Sequence, residues 1–539
     1  MTREYRHKFL LVDNSCLLRA HGVTRTVNPA TKHPEPVLTT DAPWNQDDER
    51  FSYANIIYDP AEKLFRMWYF VWRAGHSGPG VIVSGGNKLA YATSTDGIHW
   101  ERPELGLVEV NGSTRNNYLI PEMGIYGGTL IEDPSDPPPR RYKMIFGLLG
   151  REPDWAGFHI PLSLAHSADG LRWERPQHVN PVLRGISDGE LTLHYDPDRR
   201  VYQLFTRRVP NLPRDISLYE SFDLVNWEDR GRVLVPDEHD RPEMYNFYNM
   251  APFRYEGLTL GMLNAQYTDP VSETYESYHR APGSPEDIRG HVDIQLAYSH
   301  DGREWLRPRD RSAVIACGRP GERDFGGVYP SKCPVVLNGD TFIYYTASRL
   351  LHCWWHEWEK AIPENDVCCL MLAKMPEDHW VSLDAGDAEG CLVTKPGPFP
   401  GLRMLVNADA AGGSIEAEIV NPYGQPVAGL NRADCIPVTA NGKDQELRWK
   451  GMEGWNTEKY LELITKTHLG GLMARFYLRN AKLYSFTVVE PDAEGDLARY
   501  WVNERWCEHI KHRSGNWDGK SNEPAGGIQP YHEPEADLA

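Results

Sequence analysis

No apolar run among these 539 residues is long enough to span a bilayer, so a transmembrane role has no support in the sequence. The first twenty residues also lack an uninterrupted secretory stretch: Phe9-Leu10-Leu11-Val12 stops at Asp13 and reads as a first strand. Basic residues are in the minority, 57 Lys and Arg against 76 Asp and Glu, for a formal net charge of -19. A chain so acidic does not present the concentrated positive face that a nucleic-acid backbone requires. Cysteine is sparse, nine at irregular spacing, and the adjacent Cys368 and Cys369 are poorly placed to bridge one another. All nine are read as reduced, which suits a cytoplasmic location. No spacing of His, Cys or carboxylates announces a metal centre, and the sequence calls for no cofactor.

What the chain does have is a repeat. Ser94-Thr95-Asp96-Gly97-Ile98-His99-Trp100 recurs as Ser167 to Trp173 and as Ser299 to Trp305. A fourth copy, Ser221 to Trp227, lacks the glycine, and a run ending at Trp380 is weaker still. Upstream of each lies a second signature: strand, polar turn, aromatic-rich strand. Asp59-Pro60, Asp133-Pro134, Asp196-Pro197 and Asn338-Gly339 mark the turns. An aspartate found at the same place in three repeats is read as a turn residue that caps backbone N–H groups.

The repeats predict an all-β protein: a five-bladed β-propeller followed by an antiparallel β-sandwich of jelly-roll type. The blades span roughly residues 45 to 390, so residues 1–396 are assigned to the propeller and 397–490 to the sandwich. Residues 491–539 contain Trp501, Trp506 and Trp517, and are read as a tail packing on the propeller or on a partner subunit. The sandwich and this tail are the expected surfaces of a homo-oligomer.

This order of parts resembles the five-bladed propeller glycosidase superfamily of invertases, fructan hydrolases and arabinanases, and within it a bacterial invertase-like group with a C-terminal sandwich. The residues that carry the resemblance are Leu11-Val12-Asp13-Asn14, Met67-Trp68-Tyr69, the Ser-x-Asp-Gly-x-x-Trp repeats, Trp380 to Gly386, and Asn480 to Phe486. Two invertase signatures are missing, the Trp-Met-Asn-Asp-Pro-Asn-Gly run and the Glu-Cys acid motif. The resemblance implies a carbohydrate substrate and a site at the mouth of a central channel. Some relatives hold a central calcium ion; no oxygen-ligand pattern here announces one.

Glycosyl transfer to water needs one carboxyl group to protonate the leaving oxygen and another to act as base or nucleophile. Acids just before the first strand of each blade are therefore the catalytic candidates: Asp188, Glu243, Glu322, Asp324 and Glu49. Asp188 ranks first because two small residues flank it at a strand start. Substrate-binding candidates are Trp44, Tyr245, Asn246, Arg319 and Arg323, with Trp354 and Trp355 suited to stacking on a sugar ring. The expected function is a glycoside hydrolase acting on an oligosaccharide or glycoconjugate. Its alternatives are a phosphorylase or transglycosylase, for which Arg207, Arg208, Arg254, Arg319 and Arg323 could supply an anion pocket, and a non-catalytic carbohydrate-binding protein.

Overall fold

The computed structural model of the protein describes residues 5–45, 49–73, 88–120, 125–148, 159–208, 214–241, 244–268, 290–352, 364–397, 403–451 and 471–490. Among these, regular structure is almost wholly antiparallel β, and no helix is long and apolar enough to cross a membrane. The chain divides into two compact units, one of Pro29–Glu377 and one of Met1–Asn28 with Asp378–Ala539. The sequence-based boundary at residue 396 thus lies inside the second unit.

Within Pro29–Glu377 the local hairpins follow the sequence. Strand Leu64–Arg73 lies between Glu49–Asp59 and Lys88–Ser94 and buries both faces, which is why it reads as a continuous apolar run. The Asp-Pro aspartates are caps. Asp59 Oδ1 accepts from the N–H groups of Ala61 and Glu62, Asp133 Oδ1 from Ser135, and Asp196 Oδ1 from Asp198 and Arg199.

The way these hairpins join departs from the five-bladed expectation. Five blades require five separate sheets closed about an axis. The described strands instead form three open sheets of three, seven and eight strands. His159–Ser167 pairs with Leu183–Asp196 through His159↔Ser187 and Ile160↔Ile186, fusing the second and third expected blades into one ladder. A parallel contact between Val292 and Gly327 similarly joins the fourth to the fifth. No sheet closes on itself, so the assignment to the five-bladed propeller superfamily is not sustained. Local sequence repeats specify hairpins, whereas the fusions depend on pairings between hairpins.

The Ser-x-Asp-Gly-x-x-Trp repeats work as seats between these sheets. In each full copy the serine Oγ accepts from the glycine N–H at 2.9 Å, and the aspartate Oδ1 accepts from the N–H groups of the two residues after the glycine at 2.8 Å. This compact turn presents its glycine carbonyl outward. Gly97 O receives the Tyr344 hydroxyl at 2.7 Å, Gly170 O the Trp68 indole N–H at 2.6 Å, and Gly302 O the Gln203 amide at 2.9 Å. Each donor belongs to a different sheet from the turn it holds. The three sheets therefore each give one turn and receive one.

The second unit is built from chain segments distant in sequence. Its six-stranded sheet pairs Tyr5–Leu10 with Ala481–Glu490, and its four-stranded sheet pairs Leu17–His21 with Gly390–Thr394. Buried residues from both sheets, including Leu392, Met404, Val406, Ile415, Phe476 and Phe486, share one apolar cluster. The expected self-contained jelly-roll sandwich over 397–490 is not found. Strands from before residue 396 are integral to both sheets, and neither sheet curls into that form. The weak fifth repeat lies here too, with Asp378 accepting from Lys8 Nζ and Ser485 Oγ.

At Gly170, φ is +74° and a Cβ would stand 2.6 Å from the Trp68 ring, whereas at Gly257 (φ +83°) a Cβ would meet nothing within 4 Å. Gly257→Ala should cost the left-handed backbone strain alone, about 1–2 kcal/mol. Gly170→Ala adds overpacking, for roughly 2–4 kcal/mol in all. Urea denaturation of the two variants measures the difference; equal losses would show that the Trp68 seat carries no stability.

Candidate functional site

The sequence-predicted residues fall into three groups. Glu243, Trp354 and Trp355 lie outside the described residues, as do the side chains of Asp188 and Tyr245. Of Asp188 the backbone is clear: it lies in strand Leu183–Asp196, where the ladder to Val201–Arg208 is interrupted between Ser187 and Thr192.

A second group is engaged in structure-building contacts. Glu49 is wholly buried. Its carboxylate pairs with Lys88 Nζ and accepts from Asn45 Nδ2 at 2.8 Å and the Tyr118 hydroxyl at 3.0 Å. Trp44 packs beside the same core and donates its indole N–H to Asn117. Glu322 is exposed and closes a turn by accepting the Arg319 N–H, and Arg319 is itself exposed. Arg323 pairs with Asp366 at 2.5 Å, which also takes Arg349.

The third group is brought towards polar surroundings at the strand starts. Asp324 is buried, pairs with Lys32 Nζ at 2.6 Å and accepts the Tyr345 hydroxyl at 3.2 Å. Buried Asn246 accepts the Arg214 backbone N–H at 2.8 Å through Oδ1. Arg214 begins a cluster that the sequence reading did not find. The guanidinium carbons of Arg207 and Arg214 lie 4.6 and 5.2 Å from the centre of the Tyr248 ring. The Tyr248 hydroxyl meets that of Tyr53 at 3.0 Å, and the His352 ring packs edge-on at 4.3 Å between centroids. Tyr329 adds edge contacts to both tyrosines and a 3.0 Å hydrogen bond with His352 Nδ1. Aromatic faces with a few convergent polar groups are the usual lining of a small-molecule site.

On the other face of strand Leu258–Thr268 stands an acid that the sequence reading also missed. Asp293, on strand Gly290–Ser299, has its Oδ1 shut off from solvent. Burial pushes its carboxyl up from 3.8 to about 7, opposed by the Tyr267 hydroxyl bonded to it and by the charges of Arg241 and Arg307. Tyr267 in turn receives Gln295 Nε2 at 2.5 Å, and Gln295 Oε1 receives Arg307 Nη2 at 2.6 Å. Arg307 is gripped in two-point fashion by Asp240. The Cys317 thiol, pushed up to about 12 chiefly by burial, feels the charges of both Asp293 and Asp324. Asp293, which keeps its proton towards neutrality, and Asp324, paired with a lysine, thus both act on the Cys317 thiol. Two carboxyl groups in unlike surroundings are what a division into acid and base roles requires.

No protein-family model matches the chain, and no curated protein does. Several solved structures resemble it at low level. A glycosyl hydrolase from Bacteroides ovatus is 12% identical, with 64% of this chain and 94% of that one covered at a TM-score of 0.40. An N-acetylgalactosamine deacetylase from F. plautii, solved with blood group B trisaccharide, is 13% identical over 67% and 97%, at 0.39. A GH32 beta-fructofuranosidase from Bombyx mori is 13% identical over 86% and 94%, at 0.38. Likeness of this size decides neither fold nor activity, and it does not restore the five-bladed assignment.

Glu49→Gln should lose about 3–5 kcal/mol, because it leaves Lys88 buried without its counter-charge. The double variant E49Q/K88M should regain most of that loss by urea denaturation; no recovery would mean the ion pair is not the origin of the cost. Asp293 links stability to pH. The unfolded chain releases this proton near pH 4 and the folded one near 7, so stability falls as pH rises across that window. Asp293→Asn should flatten the fall in melting temperature between pH 4 and 7; an unchanged slope would place the titration elsewhere.

Proposed function

We propose that this protein is a glycoside hydrolase, with Asp293 as general acid and Asp324 as the ionised partner. The supporting observation is the Asp293 carboxyl, its Oδ1 shut off from water, bonded to Tyr267 and backed by the run Gln295, Arg307 and Asp240. A carboxyl that stays protonated at neutral pH can give its proton to a departing glycosidic oxygen. Tyr53, Tyr248 and Tyr329 suit the apolar faces of a sugar, and their hydroxyls suit its oxygens. Asp188, within strand Leu183–Asp196, keeps its place in this reading as an alternative base. No metal is invoked, and a cytoplasmic setting goes with this reading.

A second reading, phosphorolysis, is favoured by one observation: Arg207 and Arg214, both buried, converge on Tyr248.

The test is a panel of fructans, arabinosides, other glycosides and mixed oligosaccharides, with and without phosphate, followed by the mass of released sugars. Asp293→Asn should lower kcat about 100-fold or more and abolish the alkaline limb of the pH profile. Asp324→Asn and Asp188→Asn run beside it, and the larger loss identifies the partner. Full activity in D293N would overturn the acid assignment. Saturable sugar binding without any cleavage would favour a non-catalytic carbohydrate-binding protein.

A further inference from the structure

Arg214 is 4% exposed, and among the described residues no carboxylate pairs with it. The contacts of its side chain are all with neutral or aromatic groups. Nη1 donates to Gln266 Oε1 at 2.9 Å and meets His352 Nε2 at 3.3 Å, while Nε has no hydrogen-bond partner. An arginine only donates, so His352 Nε2 accepts; the ring then carries its proton on Nδ1 and gives it to the Tyr329 hydroxyl. That assignment makes the imidazole neutral as well. The neighbouring Asp215, the nearest source of negative charge in sequence, is committed to Arg232 at 2.6 Å and to Ser217.

The main chain around Arg214 is held as firmly as the side chain. Its N–H is bound by Asn246 Oδ1 and its carbonyl accepts the Phe247 N–H at 3.1 Å. The guanidinium is thus aimed rather than adrift. Two further buried cations are close by. Arg207 shares the Tyr248 ring, and Lys332 lies 6.0 Å from the centre of the Tyr53 ring that touches it. Burying the Arg214 charge is expensive unless it is paired, and among the described residues the amide and rings it touches supply no counter-charge.

We propose that Arg214, assisted by Arg207, binds a small oxyanion against the tyrosine cluster. The planar fork of a guanidinium matches a carboxylate or a phosphate in two-point fashion, and rings that exclude water strengthen the contact. The anion has two chemical sources: free inorganic phosphate, or the carboxylate of an acidic sugar bound as substrate. This inference stands on Arg214 and its partners and does not require hydrolysis by Asp293.

The experiment is calorimetric titration of the full chain at constant ionic strength, first with inorganic phosphate alone and then with glucuronate and galacturonate. The wild type should show saturable binding of at least one. Arg214→Met should weaken it at least tenfold. Arg214→Lys, which keeps the charge but not the fork, should fall between, and near-UV circular dichroism of both variants reports whether the fold is retained. Phosphate binding alone would identify free phosphate as the ligand; binding of the uronates alone would identify an acidic sugar. The D293N protein should bind the same anion as tightly as wild type, so failure of the acid assignment and failure of the anion site give different results. No saturable binding of any of these anions by the wild type, or undiminished affinity in R214M and R214K, would overturn the proposal.

Discussion

The hydrogen bond from a mid-sheet side chain to the glycine carbonyl of a repeat turn is the constraint on which the rest of the larger unit depends. It unites two requirements that are hard to satisfy separately. The turn must be tight enough to put three backbone groups on one serine and one aspartate, and bare enough for a Tyr, Trp or Gln of another sheet to come within hydrogen-bonding range. At Gly97 a Cβ would stand 2.5 Å from the Tyr344 hydroxyl, so the absent side chain is what permits the contact. The degenerate copy keeps the turn without the glycine. Leu224 adopts φ +64° and keeps the serine and aspartate contacts, and its carbonyl receives the indole N–H of its own Trp227, as Gly170 O receives that of Trp173.

With the sheets held through their turns, the opposite strand ends can carry polar groups. Strand Leu258–Thr268 shows how closely these are packed. Its successive residues Gln266 and Tyr267 point to opposite faces, as neighbours on a strand must. Gln266 holds the Arg214 guanidinium on one face, and Tyr267 holds the Asp293 carboxyl on the other. A single stretch of backbone thereby sets the positions of a buried cation and of an acid that keeps its proton. A one-residue slip of its register against Gly290–Ser299 would exchange the two faces and dismantle both.

Much of this was readable from the chain, and the limits of reading have physical causes. The Asp-Pro turns, the Ser-x-Asp-Gly-x-x-Trp turns and the alternation of strands are local, set by residues within a few positions of one another. The way hairpins merge into sheets is not local. Nothing in residues 159–167 announces that they pair with 183–196, and counting repeats therefore suggested five closed blades where the ladders run on. The candidate site failed on similar grounds. Looking only at acids before the first strand of each repeat passed over Asp293, which lies on the third strand of its hairpin set. Its raised proton affinity comes from burial among strands far apart in sequence, against the opposing pull of Tyr267, Arg241 and Arg307, and leaves no local mark. Glu49 met the positional rule, yet Lys88 and Tyr118 bring it into a buried ion-pair network.

The pairing of Tyr5–Leu10 with Ala481–Glu490 bears on the order in which the chain can become a protein. A ribosome delivers residues at roughly 5–20 per second, so the earliest strand waits tens of seconds for its hydrogen-bonding neighbour. During that interval the larger unit, whose strands are contiguous in the chain, can already assemble. The smaller unit cannot, and its first strand stays an unsatisfied edge, open to association with other nascent chains. Leu17–His21 buries only Leu17, with Leu18 half exposed beside Arg19, which gives that early segment little protection of its own. That strand is left open until residues 481–490 have been made.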